Sequence, residues 1–186
     1  MEKQLIENLL LSRYLKIDAN KQKIFKIIPE LKATEGFNQK HPHHCYDVWE
    51  HTMESLKRSK PDLQIRIALL LHDIGKPYSY QEDGDIRHFK GHPQKSAEMA
   101  EKILRRLGYS EKEIEDICYL IKNHDTLIDI NKINENNIEL TKKLLYIQYC
   151  DAYAHAPEHI EKRIKKLDII LEQLEKIVNR ENFERG

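Results

Sequence analysis

Side chains able to hold a cation recur inside otherwise apolar stretches: His51, the adjacent pair His72-Asp73, His92, His124 and Asp151. Asp73 poses the sharpest question. It follows the apolar run of RIALLLHDIGKP, and an unpaired carboxylate at a buried helix end is strongly disfavoured. Asp151 repeats the problem after LLYIQYC, and His51 sits in DVWEHT beside Val48 and Trp49. These positions fall on different expected helices or helix boundaries, as a metal site in a bundle core requires. Imidazole with carboxylate suits iron, manganese, nickel, cobalt or zinc, with magnesium a further option. A divalent ion would neutralise Asp73. A lone histidine is ordinarily a hydrogen-bonded core or surface residue, so the His72-Asp73 pair carries most of the weight.

The elements that must position these residues read as helices. KQKIFKIIPELKATEGF places Ile24, Ile27, Ile28 and Leu31 at helical spacing ahead of Gly36. YDVWEHTMESLKRS follows, and Pro61-Asp62 opens a helix that Gly75 and Pro77 close. Around residues 78–91, Asp83-Gly84 lies between short aromatic arms, the pattern of a loop or small hairpin. Pro93 suits the first position of the next helix, which Gly108 ends, and Ser110 with Glu113 stands in capping-box register. ELTKKLLYIQYCDAYAHA reads as a buried helix. Pro157 then starts an amphipathic helix to about Asn179, with Ile160, Ile164, Leu167, Ile170, Leu171 and Leu174 on its apolar stripe. The expected fold is all-α: one domain over residues 1–186, a core from about 29 to 155, and the last helix packed on it.

Lys+Arg and Asp+Glu both number 31, a balance that argues against a dedicated duplex nucleic-acid binder. No stretch reaches the roughly 18 apolar residues of a membrane span, and the charged N-terminus lacks a secretory pattern, so the expected location is cytoplasmic. Cys45, Cys118 and Cys150 lack CxxC spacing, and buried, reduced thiols are expected.

HDIGK, with an upstream histidine and a downstream His, His and Asp, resembles the HD-domain metal-dependent phosphohydrolase superfamily. GFNQKHPHHCYDVWEHTMESL, RIALLLHDIGKP and DIRHFKGHPQKSAEMAEKILRRL are similar to the HD region of bacterial CCA-adding tRNA nucleotidyltransferases. The likeness runs from about Pro29 to Asp151. Nothing in the chain resembles the nucleotidyltransferase head, so nucleotide addition to tRNA is not carried over.

The resemblance implies that His51, His72, Asp73 and Asp151 bind a first metal ion. It implies one or two ions in all: where there is a second, His92 and His124 bind it with Asp73 bridging, and Asp125 competes with His124 for that role. Lys76, one turn beyond His72, would lend a cation to developing phosphoryl charge, or else answer the helix dipole. His88 matches one of a pair of histidines in the family motif and is a substrate contact or proton donor. Arg87 and Lys90 could take further phosphates, and otherwise are solvated loop charges. His44, seven residues before His51, is a substrate candidate, whereas His41 and His43 read as loop residues. His155 and His159 are expected outside the metal shell, and Arg163, Lys165 and Lys166 read as a solvated basic face.

The implied activity is hydrolysis of phosphomonoesters or phosphodiesters by metal-activated water, catalysed with Asp73 and Lys76, on nucleotides or similar small phosphate esters. Dinucleoside polyphosphate hydrolysis is a related alternative. A non-catalytic metal-containing module binding a nucleotide or RNA is the alternative outside enzymology, though the charge balance does not favour RNA. A dimer is compatible with the last helix.

Overall fold

A computed structural model describes residues 1–12, 18–134 and 136–184. The element order is α1 (Glu2–Leu11), α2 (Lys21–Ile27), α3 (Val48–Lys57), α4 (Leu63–Leu71), a hairpin of β1 (Gln81–Asp83) and β2 (Ile86–His88), then α5 (His92–Leu107), α6 (Glu111–Asn123), α7 (Ile138–Ala152) and α8 (Pro157–Glu184). The all-α architecture holds, and the small hairpin lies where the Asp83-Gly84 turn signal placed it, pairing Gln81 with His88 and Asp83 with Ile86.

Helix α4 is the centre of the bundle because LQIRIALLL is apolar almost all round, and such a helix must be surrounded. Every residue from Ile65 to Leu71 is buried. The helix packs against α1, α3, α5, α6 and α7. Arg66, the one charged residue of that run, is satisfied by carbonyls: Nη2 donates to Ser59 O at 3.0 Å and Nη1 to Leu10 O, which pins the end of α1. Helix starts follow the sequence. Asp62 accepts from the Ile65 N–H, and Asp47 with Glu50 and Ser110 with Glu113 form capping boxes, each such cap contributing about 1 kcal/mol.

Several boundaries differ from expectation. The first predicted helix breaks after Ile27, because Pro29 starts a separate 3-10 segment over Pro29–Thr34. Helix α4 ends at Leu71, so His72 and Asp73 lie in the turn beyond it and not within the helix. Gly91 is the residue preceding α5, and His92, not Pro93, is the first helical residue. Helix α8 continues past Asn179 to Glu184 and packs on α7 through Leu167, Ile170 and Leu174, while Leu171 is exposed. Only Cys150 of the three thiols is buried; Cys45 is exposed and Cys118 half-buried. Among the described residues no helix is long and apolar enough to cross a membrane.

Candidate metal centre

The turn after α4 delivers His72 and Asp73 to the middle of the bundle. Helix α3 supplies His51, the start of α5 His92, the end of α6 His124, the end of α7 Asp151, and the turn before α8 His155. All seven are buried.

The five imidazoles share one anchoring rule. His51 Nδ1 faces Ala154 O at 3.0 Å, His72 Nδ1 Leu69 O at 2.7 Å, His92 Nδ1 Phe89 O at 2.8 Å, His124 Nδ1 Ile121 O at 2.7 Å and His155 Nδ1 Asp151 O at 2.8 Å. A carbonyl oxygen can only accept, so each Nδ1 carries a hydrogen, and in the neutral ring Nε2 keeps a lone pair. Backbone anchoring of one ring nitrogen is how metal-binding histidines are oriented.

The Nε2 atoms divide around Asp73. Its Oδ2 lies 3.3 Å from His72 Nε2 and 3.5 Å from His51 Nε2, while its Oδ1 lies 3.1 Å from His92 Nε2 and 3.7 Å from His124 Nε2. Asp151 joins the first side, with Oδ1 2.9 Å from His51 Nε2 and 3.7 Å from His72 Nε2. The structure therefore brings together His51, His72, Asp73, His92, His124 and Asp151, all six expected ligands. Among the described residues, three groups place their ligand atoms within 4.8 Å of one another: His51–His72–Asp73, Asp73–His92–His124 and His51–Asp151–His155.

The donor set fits cations. His92 and His124 bring Nε2 atoms to 3.3 Å with both Nδ1 hydrogens already committed. Two lone pairs at that separation repel unless a positive charge joins them. His72 Nε2 and both Asp73 oxygens are buried without an aligned hydrogen bond, and buried polar atoms left in that state are uncommon. Charge organisation agrees. Burial opposes protonation of His72, but the adjoining Asp73 and Asp151 carboxylates outweigh it, and its pKa is pushed up to about 10. Burial likewise opposes ionisation of Asp73, yet His72 and Lys76 hold it well below the ordinary carboxylate range. At His124 burial, joined by the neighbouring His72, outweighs the same two carboxylates and pushes the pKa down to about 3. The centre thus attracts positive charge on one side and presents neutral imidazole on the other.

Above this floor opens a cavity of about 370 Å³, reached by Lys76, Arg87, His88, Lys90, Asp125 and Arg163 among others. Lys76 is buried, with Nζ 2.7 Å from Asp73 Oδ2 and donating to Gln39 Oε1 at 2.8 Å. Arg87 is no free loop charge: its guanidinium stacks on Phe37 and Tyr80 and Nε donates to Glu82 at 2.9 Å. His41, His43 and His44 line the cavity together, and the His44 ring lies 5.3 Å from that of His51.

Asp125 is exposed, lies 3.7 Å from Arg163, and belongs to none of the converging ligand groups, whereas His124 does. Two residues depart from the sequence reading. His155 is buried beside Asp151, not set apart from it, and Arg163 is no solvated charge, since Nη2 donates to Asp151 Oδ2 at 2.8 Å. Gln39 was not singled out at all. A neutral amide in a polar loop gives no periodic signal, whereas the position of Arg163 on the polar edge of an amphipathic helix hid its inward reach.

Comparison with known proteins now adds the lineage. The family model for the HD domain matches residues 43–178. The chain belongs to the HD domain family. HD domains bind divalent metal ions and are in general metal-dependent phosphohydrolases. This HD domain is 38% identical over 104 residues to the A-adding tRNA nucleotidyltransferase of Deinococcus radiodurans. It is 31% identical over 104 residues to the CC-adding tRNA nucleotidyltransferase of Thermus thermophilus. Each match covers 52% of this chain but 24% of the relative, so the chain spans about a quarter of those nucleotidyltransferases. It is also 33% identical over 125 residues to YueE of Bacillus subtilis, a protein named provisionally as a phosphohydrolase, covering 61% of this chain and 70% of that one.

Proposed function

We propose that this HD domain hydrolyses phosphomonoesters or phosphodiesters of nucleotides or nucleotide-like molecules. The single observation that carries this reading is Asp73, whose two oxygens each face a separate pair of imidazole Nε2 atoms. His51, His72, Asp73 and Asp151 would hold one divalent ion, and Asp73, His92 and His124 a second. Such ions supply Lewis acidity and make bound water a nucleophile near neutral pH.

The chain's own residues then have separable tasks. Buried Lys76, kept beside Asp73 by Gln39, offers a cation to charge developing on phosphorus-bound oxygens. His44, at the inner wall, and His88, at the end of β2, would flank the ester in this reading, and His88 would give a proton to its leaving group. Arg87, braced by two aromatic rings, holds a further phosphate or orients the first. Asp73 and Asp151 would set where the ions sit, and their two negative charges would offset part of the ions' positive charge.

The test is metal analysis followed by assays on p-nitrophenyl phosphate, bis-p-nitrophenyl phosphate and a nucleotide set, with manganese, nickel or cobalt added. Changing His72→Ala together with Asp73→Ala should abolish turnover and bound metal while helicity persists. Undiminished hydrolysis in that double variant removes the catalytic assignment. Dinucleoside polyphosphate hydrolysis is a second reading, favoured by the exposed Lys90 at the rim of the same cavity. It calls for cleavage of diadenosine tetraphosphate with little turnover of simple monoesters. Metal and nucleotide binding without any turnover would instead leave a non-catalytic module.

A further inference from the structure

Beside the metal cavity lies a second compartment, of about 220 Å³. The two share His124, Asp125 and Arg163, so the turn that ends α6 borders both. That turn also contributes Leu127, α8 contributes Lys166 and Leu167, and α7 contributes Gln148. Sites for whole small-molecule ligands run to ~300–1,000 Å³. The compartment therefore suits one ring of a molecule whose remainder lies in the cavity. Gln148 decides what kind of ring. It is only 4% exposed, and its Nε2 donates to Asn123 O at 3.2 Å and to Thr126 O at 2.7 Å. Carbonyl oxygens can only accept, so the amide cannot be turned over and both of its hydrogens are used. Oε1 is left as a fixed acceptor lining the compartment, with no donor among the described residues.

We propose that this compartment is the base subsite for a nucleotide. A planar heterocycle packs against the apolar side chains of Leu127 and Leu167, turns an N–H toward Gln148 Oε1, and leaves its phosphate in the metal cavity. Asp125, 3.7 Å from Arg163 at the border of the two spaces, offers an acceptor to the sugar hydroxyls. Leu127 is 70% exposed, and a bound ring takes part of that apolar surface out of water. A site that hydrogen-bonds a ligand N–H discriminates against an analogue lacking it, because the acceptor is then left unpaired. The subsite deepens the phosphohydrolase reading and rests on it for the position of the phosphate.

Calorimetric titration tests it, with EDTA present to stop turnover and then with Mn²⁺. The probes are adenosine and cytidine 5′-monophosphates, their counterparts whose bases carry no N–H (purine riboside and 2-pyrimidinone riboside monophosphates), and ribose 5-phosphate, which has no base. The tighter of the first two should bind at least about tenfold better than ribose 5-phosphate, and about tenfold better than its own counterpart, roughly the worth of one hydrogen bond. Leu127→Asp, at an exposed position outside the core, should cut the advantage over ribose 5-phosphate severalfold. Gln148→Leu should close the gap between the nucleotide and its counterpart. If Gln148 only holds the α6 turn, its loss weakens both ligands alike and the gap persists, which overturns the base contact. Equal affinity for all probes, or binding of none, overturns the subsite, and hydrolysis of simple esters would still stand. Base-dependent binding without turnover of any phosphate ester removes the hydrolase reading and leaves the subsite.

Discussion

Gly75 and Ser96 meet where the turn after α4 presses on the first turns of α5: the Gly75 N–H donates to Ser96 Oγ at 2.9 Å. A Cβ at position 75 would lie 2.7 Å from Ser96 N and 2.9 Å from His92 O. Both are backbone atoms, so neither can turn aside as a side-chain tip could. Close approach, and not a special φ, is what requires glycine here. The contact sets the distance between Asp73 and His92, residues two before Gly75 and four before Ser96. Gly75→Ala should therefore destabilise the protein by about 1–3 kcal/mol, the usual cost of overpacking. It should also weaken metal binding at Asp73–His92–His124 more than at His51–His72–Asp73. Thermal melting and stepwise metal titration read the two effects; unchanged melting and metal content would show that α5 shifts freely.

Lys76 and Gln39 make a second pair with separable roles. Gln39 is buried, its Nε2 donating to Tyr46 O at 3.2 Å while Oε1 accepts from Lys76. Lys76→Met should lower kcat by roughly 100-fold, the scale of losing one preorganised charge stabiliser, with bound metal retained. Gln39→Leu leaves the ammonium in place but unsteered, and a smaller fall in kcat with little change in KM is expected. Steady-state kinetics alongside metal analysis distinguishes this from simple loss of an ion.

Thiol chemistry offers a test of packing that is independent of the site. Burial pushes the Cys118 thiol up to about 11, aided by Glu101, and burial pushes Cys150 up to about 12, aided by Asp151. Both stay protonated at neutral pH, and only a thiolate is an effective nucleophile. Brief iodoacetamide treatment at pH 7.5 should label exposed Cys45 alone, and all three after denaturation. Mass spectrometry of the intact chain reads the difference directly; early labelling of Cys150 would place α7 in a looser setting.

The cluster of candidate ligands was legible because buried charge is conspicuous. An apolar run ending in His72-Asp73, and another ending in Asp151, can be read without coordinates since each states a problem of solvation. The same run explains why α4 is enclosed by the other helices, as the structure shows. Helix ends were less legible: a helical pattern continues through Ile28, but Pro29 lacks the N–H needed to extend it, and a turn at His72 follows from three-dimensional convergence that spacing cannot express. Arg163 was hidden for a different reason. Its neighbours Lys165 and Lys166 are exposed and it shares their composition, so only the packing of α8 on α7 reveals which cation turns inward.

Metal binding should be coupled to proton release at His72. Its pKa in the metal-free fold is raised to about 10 from an ordinary 6.5, so at neutral pH Nε2 carries a proton that an incoming ion must displace. One displaced proton makes the apparent affinity rise about tenfold per pH unit below that value. The same shift acts on the metal-free fold. Because the folded pKa is the higher one, His72 contributes its full stabilisation below about 6.5 and loses it as pH rises through about 10. The metal-free protein should accordingly lose melting temperature between pH 7 and 10, and the gap to the metal-loaded form should widen. Calorimetric titration in buffers of different ionisation enthalpy counts the protons, and melting curves across the same range follow the gap. A proton count of zero with a pH-independent affinity would mean that His72 is already neutral and that Asp73 is compensated chiefly by Lys76.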